Sequence, residues 1–161
     1  KQFKHNPDAG LFSALAYQME KNGKFQNLIR SPLISSKSVY LTPEQVKKCF
    51  VKYGFWIVGQ TMIFNKSAFK KLDIKFNPSL KHFSDQFVPL IISSKFGACF
   101  TPKTLASWRY YSGYAEQNFS NKNLNNELFL KFAKVCSSEE FNDLVPNLYL
   151  AKIIKKSIGF R

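Results

Sequence analysis

The sequence predicts an α/β fold over residues 1–120 followed by a basic helical segment over residues 121–161. Three observations predict it. Short apolar runs of strand length alternate with stretches bounded by helix-start and helix-stop residues. The 161 residues are 45% hydrophobic and 16% aromatic, enough apolar material for the core of one ordinary domain. Past the Asn-rich stretch Ser120–Asn126, the one boundary that composition suggests, the pattern turns helical.

The elements follow from local chemistry. Asn6-Pro7-Asp8-Ala9-Gly10 is turn material, and Leu11–Glu20 behind it is an apolar run of strand length. Lys21-Asn22-Gly23-Lys24 reads as a tight turn, because Asn-Gly accepts positive φ. Residues 25–41, with Ser31-Pro32 and Ser35-Ser36, read as extended chain or loop. Thr42-Pro43-Glu44-Gln45 starts a helix: Thr caps, Pro takes the first helical position, and Gln can reach back to the cap. Val46, Cys49, Phe50 and Tyr53 carry its apolar spacing, and Gly54 ends it. Phe55–Phe64, rich in β-branched and aromatic residues, reads as a buried strand. Asn65-Lys66-Ser67 turns into a short helix over Ala68–Leu72, and Phe76–Leu80 reads as a loop.

A further helix is expected from about Asp85 to Lys95. Pro89 fits poorly inside it, so the helix either begins close to Asp85 or bends at the proline. Ala98–Thr101 reads as a short strand and Leu105–Tyr111 as a separate extended or turning segment. Helices over Asn126–Val135 and Leu148–Ile158 follow, with Ser137-Ser138-Glu139-Glu140 as a cap between them.

Net charge is +14, from 24 Lys and Arg against 10 Asp and Glu. That balance attracts polyanions such as nucleic acid, anionic lipid headgroups or phosphorylated substrates. It fits a solvated surface equally: the lysines are mostly scattered singly, with no Arg-rich tract, zinc-finger spacing or RNP-like aromatic signature. Cys49, Cys99 and Cys136 are far apart and form no CxxC or Cys/His cluster, which argues for free thiols in a reducing cytoplasm. The first residues hold no apolar signal-peptide core. The longest apolar run is interrupted at Gly59-Gln60-Thr61, short of the ~18 residues a membrane span needs. The basic amphipathic stretch over residues 148–158 fits a helix lying on an anionic membrane, and equally one packed on the domain.

The chain has no GxGxxG, P-loop, HExxH or G-x-S-x-G motif, and no Asp-x-Asp pair to hold a divalent cation against a diphosphate. Among its few acidic residues Asp85 stands out. It follows His82-Phe83-Ser84 and opens an apolar helix, whose N-terminus stabilises negative charge. Two readings stand: a helix-capping Asp, and a carboxylate held as a general base.

An ordered series surrounds it: Gly59-Gln60-Thr61 to Lys66, Phe76-Asn77-Pro78-Ser79-Leu80, Phe83-Ser84-Asp85-Gln86-Phe87, Phe96-Gly97 to Pro102, and Leu105-Ala106-Ser107-Trp108-Arg109. The series resembles the acceptor-side half of family 2 inverting glycosyltransferases, over about residues 3–120. The resemblance implies a partial GT-A (Rossmann-like) sandwich followed by C-terminal helices. It implies transfer of a sugar from a nucleotide-sugar donor to a glycan or lipid-linked acceptor. Asp85 would be the catalytic base, with Ser84 where many relatives have Glu. Arg109 and Ser112 would meet the donor diphosphate, Trp108 would stack, and His82 would touch the acceptor. A divalent cation (Mg²⁺ or Mn²⁺) would be bound mainly outside this chain, in an N-terminal nucleotide-binding half that these residues lack. The resemblance therefore implies a fragment without activity alone, cytoplasmic or at the inner face of the membrane. The rivals are a basic, non-catalytic module for nucleic acid or anionic membranes, and a glycosyltransferase-like accessory domain.

Overall fold

A computed structural model of the chain describes residues 2–29, 31–109 and 122–157. After a single helical turn, α1 (Gln2–His5), the chain enters β1 (Leu11–Met19) and returns through the Asn22-Gly23 turn as β2 (Phe25–Leu28). Gly23 takes φ +88°, and Glu20 N donates to Lys24 O at 2.8 Å. The short β3 (Val39–Leu41) leads into α2 (Pro43–Tyr53). The expected capping box is present: Gln45 N donates to Thr42 Oγ1, and Thr42 N donates to Gln45 Oε1 at 2.9 Å. Then come β4 (Ile63–Phe64), α3 (Lys66–Leu72) capped by Asn65, α4 (Ser84–Phe96), β5 (Ala98–Arg109), α5 (Lys122–Cys136) and α6 (Asn147–Ser157).

The strands form one mixed sheet in the order β2-β1-β5-β3, with β4 also pairing with β1. β1 and β5 are parallel, from Leu11 opposite Ala98 to Met19 opposite Arg109, with the register shifting between Ala14 and Ala16. The other pairings are antiparallel. The class is therefore mixed α/β.

Several expectations need correction. Phe55–Phe64 is not a strand: residues 55–58 have no regular structure, Gly59–Thr61 is a 3₁₀ turn, and only Ile63–Phe64 pairs. Trp56, Ile57 and Val58 are buried in succession, with none of a half-buried strand's alternation. Side-chain hydroxyls take the place of a ladder there. Val58 N donates to Ser13 Oγ at 3.1 Å, and Ser31 Oγ donates to Trp56 O at 2.9 Å. Ala98–Thr101 and Leu105–Tyr111 are not separate, because β5 runs through Pro102 to Arg109. The pairing skips from Thr101 opposite Ala14 to Thr104 opposite Leu15, so Pro102 falls in a bulge, where its missing N–H costs no ladder bond.

Phe76–Leu80 is only partly loop, since Pro78–Phe83 is 3₁₀. α4 continues through the buried Pro89, and Ser93 Oγ donates back to Pro89 O at 2.6 Å. Ser137–Glu140 caps no helix: turns occupy residues 137–145, and α6 begins after Pro146. The boundary expected near Ser120 borders residues 110–121, which lie outside the described residues. Beyond it α5 and α6 bury Leu128, Phe132, Tyr149 and Leu150 in the same core as the sheet.

α4 is buried on every side over residues 87–94, with Val88, Leu90, Ile91 and Ile92 inaccessible to solvent. Each contributes roughly 1.5–3 kcal/mol of burial. Its last turn lies directly on the start of β1, where Gly10 leaves room: a Cβ there would stand 2.7 Å from Ile92 Cγ2 and 2.9 Å from Phe96 Cβ. Gly97 then turns the chain into β5 at φ +76° and ψ 177°, a region open essentially to glycine alone.

The outer edge of β1 is assembled from unlike pieces. β4 pairs with Leu11 and Phe12, and β2 with Tyr17 and Met19. Between them Thr61 acts as a one-residue strand: its Oγ1 accepts from Ala14 N at 2.9 Å and lies 2.9 Å from Ala14 O, which can take its proton. Ile29 N donates to Ala16 O at 2.8 Å.

Thr61→Val keeps the shape and strands both backbone groups of Ala14, so urea unfolding should show a loss of about 3 kcal/mol. Thr61→Ser should lose under about 1 kcal/mol. Equal losses would show that the hydroxyl does not close this edge. Gly97→Ala should cost about 3 kcal/mol from its backbone conformation alone. It adds a clash, since its Cβ would lie 2.5 Å from Leu41 O. Gly54→Ala, at φ +79° but in open space, should cost clearly less.

Candidate functional site

Asp85 lies in the first turn of α4 and is its one acidic residue there. The helix grows directly out of the Pro78–Phe83 turn, which is kinked at Lys81 (φ 48°, ψ −126°). Its N-cap position is Phe83, with helical φ and ψ and no side-chain capping bond. Asp85 is thus not a helix cap. Its side chain is exposed and makes no hydrogen bond or ion pair among the described residues. Pro89 lacks the N–H that would make the regular helical bond to the Asp85 carbonyl.

The neighbours differ from expectation in accessibility. Ser84 is buried, 6% exposed, and its Oγ has no partner among the described residues. It is closed off from any ligand above Asp85. His82 is half-buried with its ring 4.6 Å from that of Phe83. Burial is the largest influence on His82 and lowers its pKa below the ordinary value; Asp85 opposes that shift and Lys81 adds to it. His82 and Asp85 therefore sense each other across one turn.

Arg109 is the last residue of β5, exposed, opposite Met19. Trp108 is partly buried opposite Gln18, and strand alternation sends it to the other face of the sheet. Arg109 and Asp85 make no hydrogen bond or ion pair with each other. Ser112, with Tyr110 and Tyr111, lies outside the described residues. The structure groups His82, Ser84 and Asp85 at the start of α4, and leaves Trp108 and Arg109 at the end of β5.

Several clefts border the helices. One of about 510 Å³ lies between α2 and the turn before α6, lined by Glu44, Lys47, Asn142 and Asp143 among others. Another of about 400 Å³ lies where the end of α2 and the start of α4 meet α5 and α6; Phe83, Gln86, Phe129, Tyr149 and Lys152 line it. Asp85 lines neither, although its neighbours Phe83 and Gln86 reach the second.

Sequence reasoning missed Tyr149 and Lys152. Both sit in the stretch read as a membrane-facing or packed amphipathic helix. Tyr149 and Leu150 are buried and Ile153 packs on the core, while Leu148 stays exposed. The spacing of Tyr149, Lys152 and Ile153 on one helix face was the available signal.

Among the described residues no group of three His, Cys, Asp or Glu could hold a metal ion, and no helix is long and apolar enough to cross a membrane. Comparison with protein-family models, curated proteins and solved structures finds no match.

Because Asp85 holds the His82 pKa up against burial, Asp85→Asn should lower it further, as followed by the imidazole proton shifts in an NMR titration. An unmoved titration would place the two groups apart. The lowered pKa also sets a sign for stability. The unfolded chain binds the proton first, so His82 contributes a loss of stability as pH falls below about 6.5. His82→Gln should remove that contribution.

Proposed function

We propose that this chain carries the acceptor side and catalytic base of an inverting glycosyltransferase of the GT-A type, with Asp85 as the base. One observation supports the reading most. Asp85 offers an exposed carboxylate, with no side-chain hydrogen bond or ion pair among the described residues, on the first turn of a helix that is buried along most of its length. A rigid mount with an unencumbered proton acceptor is what general-base chemistry on a sugar hydroxyl requires. The succession β4, α3, 3₁₀ turn, α4 and β5, with β1 parallel beside β5, also follows the order of the resembling segments. In this reading the parallel pair belongs to a Rossmann-like GT-A sandwich.

The reaction runs in line. Asp85 takes the proton of the acceptor hydroxyl as its oxygen attacks the anomeric carbon. The bond to the nucleoside diphosphate breaks with its electron pair, and the configuration inverts. Arg109 and Ser112 would stabilise the departing phosphate, Trp108 would stack, and His82 would border the acceptor. The described residues do not fit the Mg²⁺ or Mn²⁺ that holds the donor diphosphate, since they provide no three-ligand cluster. Donor and metal would be held by other residues. The work belongs in the cytoplasm or at the inner membrane face, where glycan or lipid-linked acceptors would be met.

Sugar transfer from a nucleotide-sugar donor, measured on the protein as it occurs in its cell, should fall roughly 10²–10⁴-fold in Asp85→Asn. Stability should fall by no more than about 1 kcal/mol, the contribution of a first-turn carboxylate to its helix, because the side chain holds no hydrogen bond. Undiminished transfer would sink Asp85 as the base.

A further inference from the structure

The cleft of about 400 Å³ beside the start of α4 has a chemistry that the role of Asp85 does not use. Its volume lies in the range of small-molecule sites. Phe55, Phe83 and Phe129 supply flat apolar walls, and the rings of Phe83 and Phe129 stand 4.6 Å apart. Tyr149 completes the lining. Its side chain is 3% exposed and rests on Phe50 at 5.5 Å, yet its hydroxyl has no hydrogen-bond partner among the described residues. The hydroxyl itself is not cut off from solvent, so a ligand acceptor in the cleft would take the place of water on it. Burial, with a smaller push from Cys136, raises the pKa of the phenol, so it keeps its proton and acts as a donor.

The charge at the rim has one sign. The ionisable groups of the lining are Tyr53, Tyr149 and two lysines, with no carboxylate. Lys152 Nζ donates to Val51 O at 2.6 Å, which fixes the ammonium at the mouth and leaves two further N–H donors. Lys152 follows Tyr149 by three positions on α6, so both side chains leave the same face. Gln86 adds a neutral amide to the lining.

We propose that this cleft binds a small organic anion with a flat, apolar body, its ring among the phenylalanines and its phosphate or carboxylate on the Tyr149 hydroxyl and the Lys152 ammonium. The site stands independently of any role for Asp85. The probe is 2-naphthyl phosphate, titrated into the full chain and followed by amide chemical shifts, with 2-naphthol and inorganic phosphate beside it. Naphthyl phosphate should bind at least tenfold more tightly than either, shifting amides around Gln86, Phe129 and Tyr149. Comparable binding of 2-naphthoate supports the site equally and identifies the head as a carboxylate. Tyr149→Phe should weaken binding about tenfold while the melting temperature changes little, since the hydroxyl holds no hydrogen bond to a described residue. Lys152→Met should weaken binding and flatten its salt dependence. Equal affinity for naphthol, equal affinity for inorganic phosphate, shifts elsewhere on the protein, or undiminished binding by Tyr149→Phe would each overturn the proposal.

Discussion

The structure depends on how the backbone of β1 is satisfied. This strand is buried over its first six residues save for part of Phe12, so its N–H and C=O groups cannot turn to water. One edge is closed by β5 along the full length. The other is closed piecewise by β4, by the Thr61 hydroxyl, by Ile29 and by β2. That demand explains why the segment from Trp56 to Thr61 is held tightly without being a strand. It is a clamp of hydroxyl and amide contacts on Ser13 and Ala14, and it buries Trp56 against Phe50 and Phe100 as it passes.

The two glycines at the join of helix and sheet serve the same strand. Gly10 lets the last turn of α4 lie on β1, and Gly97 reverses the chain so that β5 can enter beside it. Their backbones bond directly, Gly10 N donating to Gly97 O at 3.1 Å. The cost of bringing a largely buried helix onto the sheet is thereby met with space rather than side-chain rearrangement.

Much of this was legible in the sequence where local chemistry decides. The Asn22-Gly23 turn, the Thr42–Gln45 capping box and the Gly54 stop each state a backbone conformation within a few residues. Phe55–Phe64 misled because its β-propensity is real, but its partners are hydroxyls remote in sequence. Pro102 misled in the opposite sense: it looked like a strand end, and only the register against β1 reveals a bulge. The site divides in the same way. The position of Asp85 at the start of a helix could be read from the apolar run behind it. The unengaged state of its carboxylate, the burial of Ser84 and the cleft around Tyr149 depend on elements far apart in sequence, and no spacing encodes them.

The parallel pairing of β1 and β5 also has a consequence in time. An antiparallel hairpin can close as soon as its turn is made, but Leu11 must wait for Ala98. The contact is non-local, and its loop-closure entropy has to be met before the pairing returns any stability. During synthesis the apolar face of β1 and its hairpin with β2 emerge first and stay half-covered while α2, α3 and α4 are still being made. The basic balance then has a use before the native state exists: residues 1–97 carry 15 Lys and Arg against 5 Asp and Glu, and like-charged nascent chains repel one another during the interval in which the central strand lacks its main partner.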